Sequence, residues 1–258
     1  MATPKRWAVR EAADVTFYRL DDAADASYAK GDPVVTLNTL KMTDVETTGE
    51  TVYARGGRGN AKLVGFSSNR EARVTLQDAI FDNAAMAMLT GNEVKTEAKK
   101  IQKFEDILLA DTTGIGALSF TAEATPEAQV YALQGNVVGA LDDAATVVGT
   151  VVTSVANAGK RVRVYYTTET PTDTQTITVT SDKFGGTFKV VADVLVRDEE
   201  TKKDYFGQFI AYNAKIEDSF TFSFSPDGDP SVLDIPLEIL KSPESANMWE
   251  FVIYGEEE

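Results

Sequence analysis

The chain has 258 residues, with 25 Lys+Arg against 40 Asp+Glu for a net charge of −15, and it contains neither cysteine nor histidine. Without cysteine there is no disulfide, thiol nucleophile, zinc–thiolate site or iron–sulfur cluster; without histidine there is no imidazole base, histidine triad or zinc-binding His-Glu-x-x-His helix. The acidic balance argues against gripping nucleic acid, which takes clustered Lys/Arg, while 43% apolar and 25% charged residues suffice for the core of one or two domains.

In chain order, Met1 to Trp7 carries charge with no apolar stretch behind it, so no secretory signal is expected. The stretch from Thr43 to Asn60 mixes Thr, Glu and Gly and is too long for a hairpin turn; it reads as a long loop ending in Arg55-Gly56-Gly57-Arg58-Gly59-Asn60. Lys62–Phe66 and Glu71–Asp78 read as extended, with Ala72, Val74 and Leu76 on one face. Asp82 to Gly91 opens on a capping residue, runs through strong helix formers and closes in glycine, which predicts the one short helix. Residues 104–159 hold no Lys or Arg and seven acids, with strand-like pieces at Gln129–Leu133 and Thr146–Val152. The most apolar run, Val147 to Ala156, is too short and too interrupted to cross a membrane.

Strands are expected at Lys160–Thr168, Thr174–Ser181 and Thr187–Arg197, all rich in Val, Thr and Tyr. In Gln208–Asp218, Ile210, Tyr212, Ala214 and Ile216 alternate with Ala211, Asn213, Lys215 and Glu217, which predicts a half-buried antiparallel strand. Ser219–Ser225 alternates hydroxyls with three phenylalanines, and Pro226 to Pro230 reads as a turn. Leu233, Ile235, Leu237 and Ile239 then alternate with Asp234, Pro236 and Glu238, where the proline suggests an edge strand or a bulge. The expected fold is therefore mainly β, with two packed antiparallel sheets, one short flanking helix and a small inserted β subdomain. Its expected parts are 1–110 and 169–258 as the two halves of a main β domain and 111–168 as the insertion.

Candidate chemistry is thin. The glycine-rich loop lacks the Gly-Lys-Ser/Thr ending and following helix of a phosphate-binding loop, and two arginines are few for an RNA-binding segment. Asp227-Gly228-Asp229 with Asp234 misses the spacing of a calcium loop, so a plain turn is favoured. Gly65-Phe66-Ser67-Ser68-Asn69 lacks the second glycine of a nucleophile elbow. No carboxylate pair is singled out for glycoside hydrolysis. The chain is read as no enzyme, with no cofactor and no metal.

One succession of residues carries a resemblance. Phe184 to Asp193 leads into Val196-Arg197-Asp198, then Gly207-Gln208-Phe209-Ile210, Ala214-Lys215-Ile216, Phe220–Phe224, Asp227 to Pro230 and Val232–Leu240. With Gly65–Asp78, the helix to Gly91 and Ala158 to Tyr166, this resembles the tail tube (major tail) proteins of tailed bacteriophages, particularly those with long contractile tails. The resemblance covers about 60–95 and 158–254.

That resemblance implies a β-sandwich-like barrel with a flanking helix. Six copies would form a ring, and rings would stack into a hollow tube that conducts DNA within the virion tail. It implies assembly in the host cytoplasm, a homo-oligomer, no membrane, and sheath, tape measure and baseplate proteins as partners. Passing phage DNA would not be bound specifically, since −15 per copy becomes about −90 per six-membered ring. Two groups of residues follow as candidates. The loop residues Glu46, Thr47, Thr48, Gly49, Arg55, Gly56, Gly57, Arg58, Gly59 and Asn60 are expected to reach the adjacent ring. The acids Glu217, Asp234 and Glu238 are expected to face the channel. The alternatives are another phage tail component, such as a baseplate or decoration protein, and a β-sandwich module that binds carbohydrate or a cell surface.

Overall fold

A computed structural model describes residues 4–11, 14–20, 29–80, 82–220 and 232–256. Strands β1 (Trp7–Val9), β2 (Asp14–Arg19) and β3 (Pro33–Leu37) precede two long strands, β4 (Leu40–Gly56) and β5 (Ala61–Asp78), and helix α1 (Asn83–Thr90). Shorter strands follow: β6 (Lys95–Thr96), β7 (Lys100–Leu108), β8 (Ile115–Ala117), β9 (Gln129–Gln134), β10 (Val137–Leu141), β11 (Thr146–Val148), β12 (Val151–Thr153), β13 (Arg161–Glu169) and β14 (Gln175–Thr176). Four more complete the chain: β15 (Thr187–Asp198), β16 (Asp204–Ile216), β17 (Leu233–Ile239) and β18 (Trp249–Glu256). Among the described residues the architecture is mainly β, every strand pair is antiparallel and there is one α-helix, the class that the alternation predicts. The chain divides into two compact units, one of Met1–Val94 with Ile177–Glu258, the other of Lys95–Thr176.

In the first unit nine strands join one sheet, in the order β3-β2-β15-β16-β17-β5-β4, with β1 also pairing β15 and β18 also pairing β16. The path ends at β3 and β4, so the described residues form no closed barrel. Val15, Phe17, Val74, Leu76, Val190, Ile216, Leu233, Ile235 and Leu237 come from one face of this sheet and share a single core with Ala85, Met86, Met88 and Leu89 of α1. The helix starts where expected: the Asp82 carboxylate accepts from the Ala84 N–H at 2.9 Å, and Gly91 closes it at φ 66°. A Cβ at position 91 would lie 2.2 Å from the Phe184 carbonyl oxygen, so both the turn and the close approach call for glycine.

Two strand expectations change. In β16 the buried side chains are Tyr205, Phe209 and Ala211, then Ala214 and Ile216, so the buried face switches parity between 211 and 214. Val190 pairs with Ala211 and Phe188 with Ala214, which leaves Tyr212 and Asn213 opposite Lys189 alone. This bulge puts Ile210 and Tyr212 on the half-buried outer face rather than with Ala214 and Ile216, and puts Ala211 in the core. The second change is at Pro236. Its strand is neither at an edge nor bulged: β17 lies between β16 and β5 and pairs with β5 in register from Leu233 to Ile239. The Pro236 carbonyl accepts from the Glu217 N–H at 2.9 Å, so the missing proline N–H also points toward β16. Glu217 lies opposite Pro236 just past the paired residues of β16, so the proline forgoes only the reciprocal bond at the very end of this ladder.

The second unit has a four-stranded sheet, β10-β9-β13-β7, and a three-stranded one, β11-β12-β8. Val130, Val162, Val164 and Tyr166 from the first meet Val152 from the second, with Leu109 and Leu118, in a core of their own. Of the strand expected over Thr174–Ser181, only β14 pairs, with β6; the run has strand-forming residues and no longer neighbour to bond. The Phe222–Phe224 strand and the turn at Asp227 to Asp229 lie outside the described residues.

Candidate assembly surface

The segment expected as a loop from Thr43 to Asn60 is strand almost to its end. β4 and β5 pair from Leu40 opposite Asp78 out to Gly56 opposite Ala61, and only Gly57–Asn60 turn. Gly57 and Gly59 hold φ of 76° and 90° and Asn60 holds 51°, the left-handed conformations a tight reversal needs. Up to Thr47 opposite Ala72 this hairpin belongs to the main sheet, and there the Trp249 Nε1–H donates to the Thr47 hydroxyl at 3.2 Å. Beyond it the two strands run on as a ribbon.

A bulge marks the departure. Thr48 faces Glu71 and Glu50 faces Ser68, so Gly49 stands opposite both Asn69 and Arg70. Asn69 takes φ 50° and its amide donates to Glu50 at 2.8 Å. From Asp44 to Glu71 every position except Gly56 is exposed. Register places Val52 opposite Phe66 and Ala54 opposite Val64, so four apolar side chains share one bare face; Val52 and Phe66 are each 60% exposed. The other face carries Thr51, Tyr53 and Gly65, with Lys62 Nζ over the Tyr53 ring at 3.9 Å. Two strands with nothing against either face are marginal in water. β4 also pairs with nothing but β5 among the described residues, so its second edge, 17 residues long, is open.

Two of the three candidate channel acids, Glu217 and Glu238, meet around Arg73 on the outer face of the sheet, while Asp234 lies half-buried four residues along β17 from Glu238. Glu238 of β17 stands between Lys215 of β16 and Arg73 of β5, and Arg73 in turn stands opposite Glu46 of β4. The row alternates in sign across four strands, where opposite charges facing each other favour this register. Glu217, just past β16, bonds Arg73 at 2.6 Å, and Asp234 sits opposite Gln77. The face is therefore interleaved rather than uniformly acidic. Of the other named residues, Glu46 and Thr47 lie at the ribbon's base, Thr48 and Gly49 at its bend, and Arg55 to Asn60 at its tip.

Sequence reading missed Val52, Ala54, Val64 and Phe66 as a face. Their signal was the high strand propensity of Val45 to Tyr53, which outweighs Gly49. The second unit also shows a row of rings, exposed Phe104 and Tyr165 and half-buried Tyr131, 5.9 and 5.7 Å apart. Their planes differ by 43° and 88°, and Arg163 covers Phe104 at 4.8 Å, so they offer no flat platform for stacking a sugar. Among the described residues, no group of three or more carboxylates is placed to hold a metal ion and no helix is long and apolar enough to cross a membrane.

An antiparallel sheet with open ends and a projecting, half-apolar ribbon is the build of a β-structured assembly subunit. The chain matches the model of the YomU/Tube protein family over residues 7–251, and it belongs to that family. It is thus a tube-like structural protein, and membership implies self-assembly into a tube and a place in a virion tail. No curated protein matches it.

Proposed function

We propose that this chain is the tail tube subunit of a phage: copies close into rings, six to a ring, and the rings stack into the hollow tube through which DNA leaves. The observation that carries this reading is the β4–β5 ribbon, which exposes Val52, Ala54, Val64 and Phe66 on a two-stranded element that has no support among the described residues of its own subunit. Such an element gains stability only by packing on another chain, and an edge as long as that of β4 is safe only when a neighbour covers it. The ribbon, with Glu46–Gly49 at its root and Arg55–Asn60 at its tip, reaches the adjacent ring. Glu217, Asp234 and Glu238 line the channel, where they keep DNA from adhering; the partners are sheath, tape measure and baseplate proteins. The chain carries out no catalysis.

Purified protein imaged in negative stain, alone and with a nucleating tail-tip complex, tests the proposal. Rings or tubes of uniform width are expected. Monomer under both conditions, confirmed by sedimentation at high concentration, overturns it.

A further inference from the structure

The ribbon is charged differently from the rest of the molecule. Residues 51–70 carry Arg55, Arg58, Lys62 and Arg70 and not one Asp or Glu. The remaining 238 residues carry 21 Lys+Arg against 40 acids, or −19. Twenty consecutive residues without an acid, in a chain where 40 of 258 are acidic, form a cationic arm on an anionic body. Among the described residues none of the four cations makes an ion pair, although Lys62 lies over Tyr53. By contrast Arg73, three residues beyond the arm, is paired to Glu217 at 2.6 Å. The acids at the ribbon's root, Glu46, Glu50 and Glu71, sit on the body side of, or directly beside, the Gly49 bend.

We infer that the four cations of the arm dock on an acidic surface of a second copy of this chain, so that joining between copies is driven by charge and weakened by salt. Charge complementarity selects this occupant. The arm carries four positive charges and the rest of the chain a net −19, and in a homomeric assembly that acidic body is the surface the arm meets most often. An arm that carried the body's own sign would be repelled by each new copy; this one is attracted before any apolar contact forms, which steers encounter. The bare face of Val52, Ala54, Val64 and Phe66 then supplies area but no choice of partner. The inference rests on the assembly reading above and adds what the arm recognises.

The test compares assembly of the wild-type chain with two variants of the full chain. One replaces Arg55→Glu, Arg58→Glu, Lys62→Glu and Arg70→Glu; the other replaces the same four by Gln. All four positions are exposed, and circular dichroism and the unfolding midpoint of the monomer should be unchanged. Wild-type assembly, followed by light scattering, should slow at least about tenfold between about 50 and about 500 mM salt. The Glu variant should not assemble at low salt, and the Gln variant should assemble slowly at a rate nearly independent of salt. Wild-type tubes with equally fast tubes from the Glu variant overturn the charge pairing and leave the tube reading standing. Wild-type chain that stays monomeric at every salt concentration overturns both. A duplex oligonucleotide probe bound by the wild type and not by the Glu variant, with assembly equal in the two, assigns the cations to nucleic acid and overturns the pairing between copies.

Discussion

Excising the ribbon separates what holds the subunit together from what joins subunits. The cut removes Thr51–Ser67 and closes Glu50 to Ser68, which face each other across the hairpin, with a two-residue Asn-Gly turn. Every side chain removed is exposed apart from the Gly56 position, so no core surface is uncovered and the transfer cost is near zero. Shortening the connection recovers loop-closure entropy on the order of 1–2 kcal/mol, offset by the modest pairing energy of the ribbon itself. The net change in stability should stay within about 1 kcal/mol, or roughly 2–4 °C in Tm for a unit of this size. Thermal and urea unfolding followed by circular dichroism measure it, and ultracentrifugal pelleting with electron microscopy measures assembly. A folded monomer that forms no tubes is expected. A loss of more than about 3 kcal/mol would mean that the ribbon packs on its own subunit, and normal tubes would remove it from the assembly surface; either result refutes the reasoning.

Leu76 lies on the same strand as Phe66 but is fully buried, so Leu76→Ala should cost about 2–5 kcal/mol in urea unfolding while Phe66→Ala changes monomer stability by less than about 0.5 kcal/mol. Three carboxylates of the second unit sit below the ordinary range: the Arg163 guanidinium holds Asp106 down and the Ser154 hydroxyl holds Asp142 down. Burial pushes Glu105 up, but the Tyr166 hydroxyl with the Ser119 N–H and hydroxyl brings it below its usual value. A lowered folded-state pKa gives stability that is present above the unfolded value near 4 and is lost as pH falls below it, so this unit should unfold progressively under acid, and Asp142→Asn should flatten the dependence in an unfolding titration from about pH 6 to 2. Replacing Glu217, Asp234 and Glu238 together by lysine should leave tubes able to form but slow DNA ejection, most at low salt; unchanged ejection kinetics would place these residues outside the channel.

What the sequence reveals follows from how each residue is shared between two environments. Ala72, Val74 and Leu76, and Leu233 to Ile239, alternate because one side of their strands is core and the other is not, and both were legible. The helix was legible from its two ends, Asp82 and Gly91, more than from its interior. The distal half of the hairpin was not, because both of its faces are bare and no alternation is imposed on it. In β16, Ile210 and Tyr212 continue the pattern of Ala214 and Ile216 on paper, and the two-for-one bulge at Tyr212–Asn213 that breaks it is a relation between strands. Pro236 misled for a similar reason: its cost depends on where the neighbouring strand ends, and β16 ends beside it, so a single terminal bond is forgone. The channel acids were picked from alternation alone, which gives a side of the strand but not the company of Lys215 and Arg73 found there.

The ends of the second unit meet. Lys95 and Thr96 pair with Thr176 and Gln175, so the chain enters and leaves this unit through two adjacent strands, about 5 Å apart at ladder spacing. A module hung on such a paired stem is a cassette: it can be lengthened, exchanged or omitted without shifting the register of a single strand in the nine-stranded sheet. A foreign domain with neighbouring termini could be spliced in the same way between Val94 and Ile177.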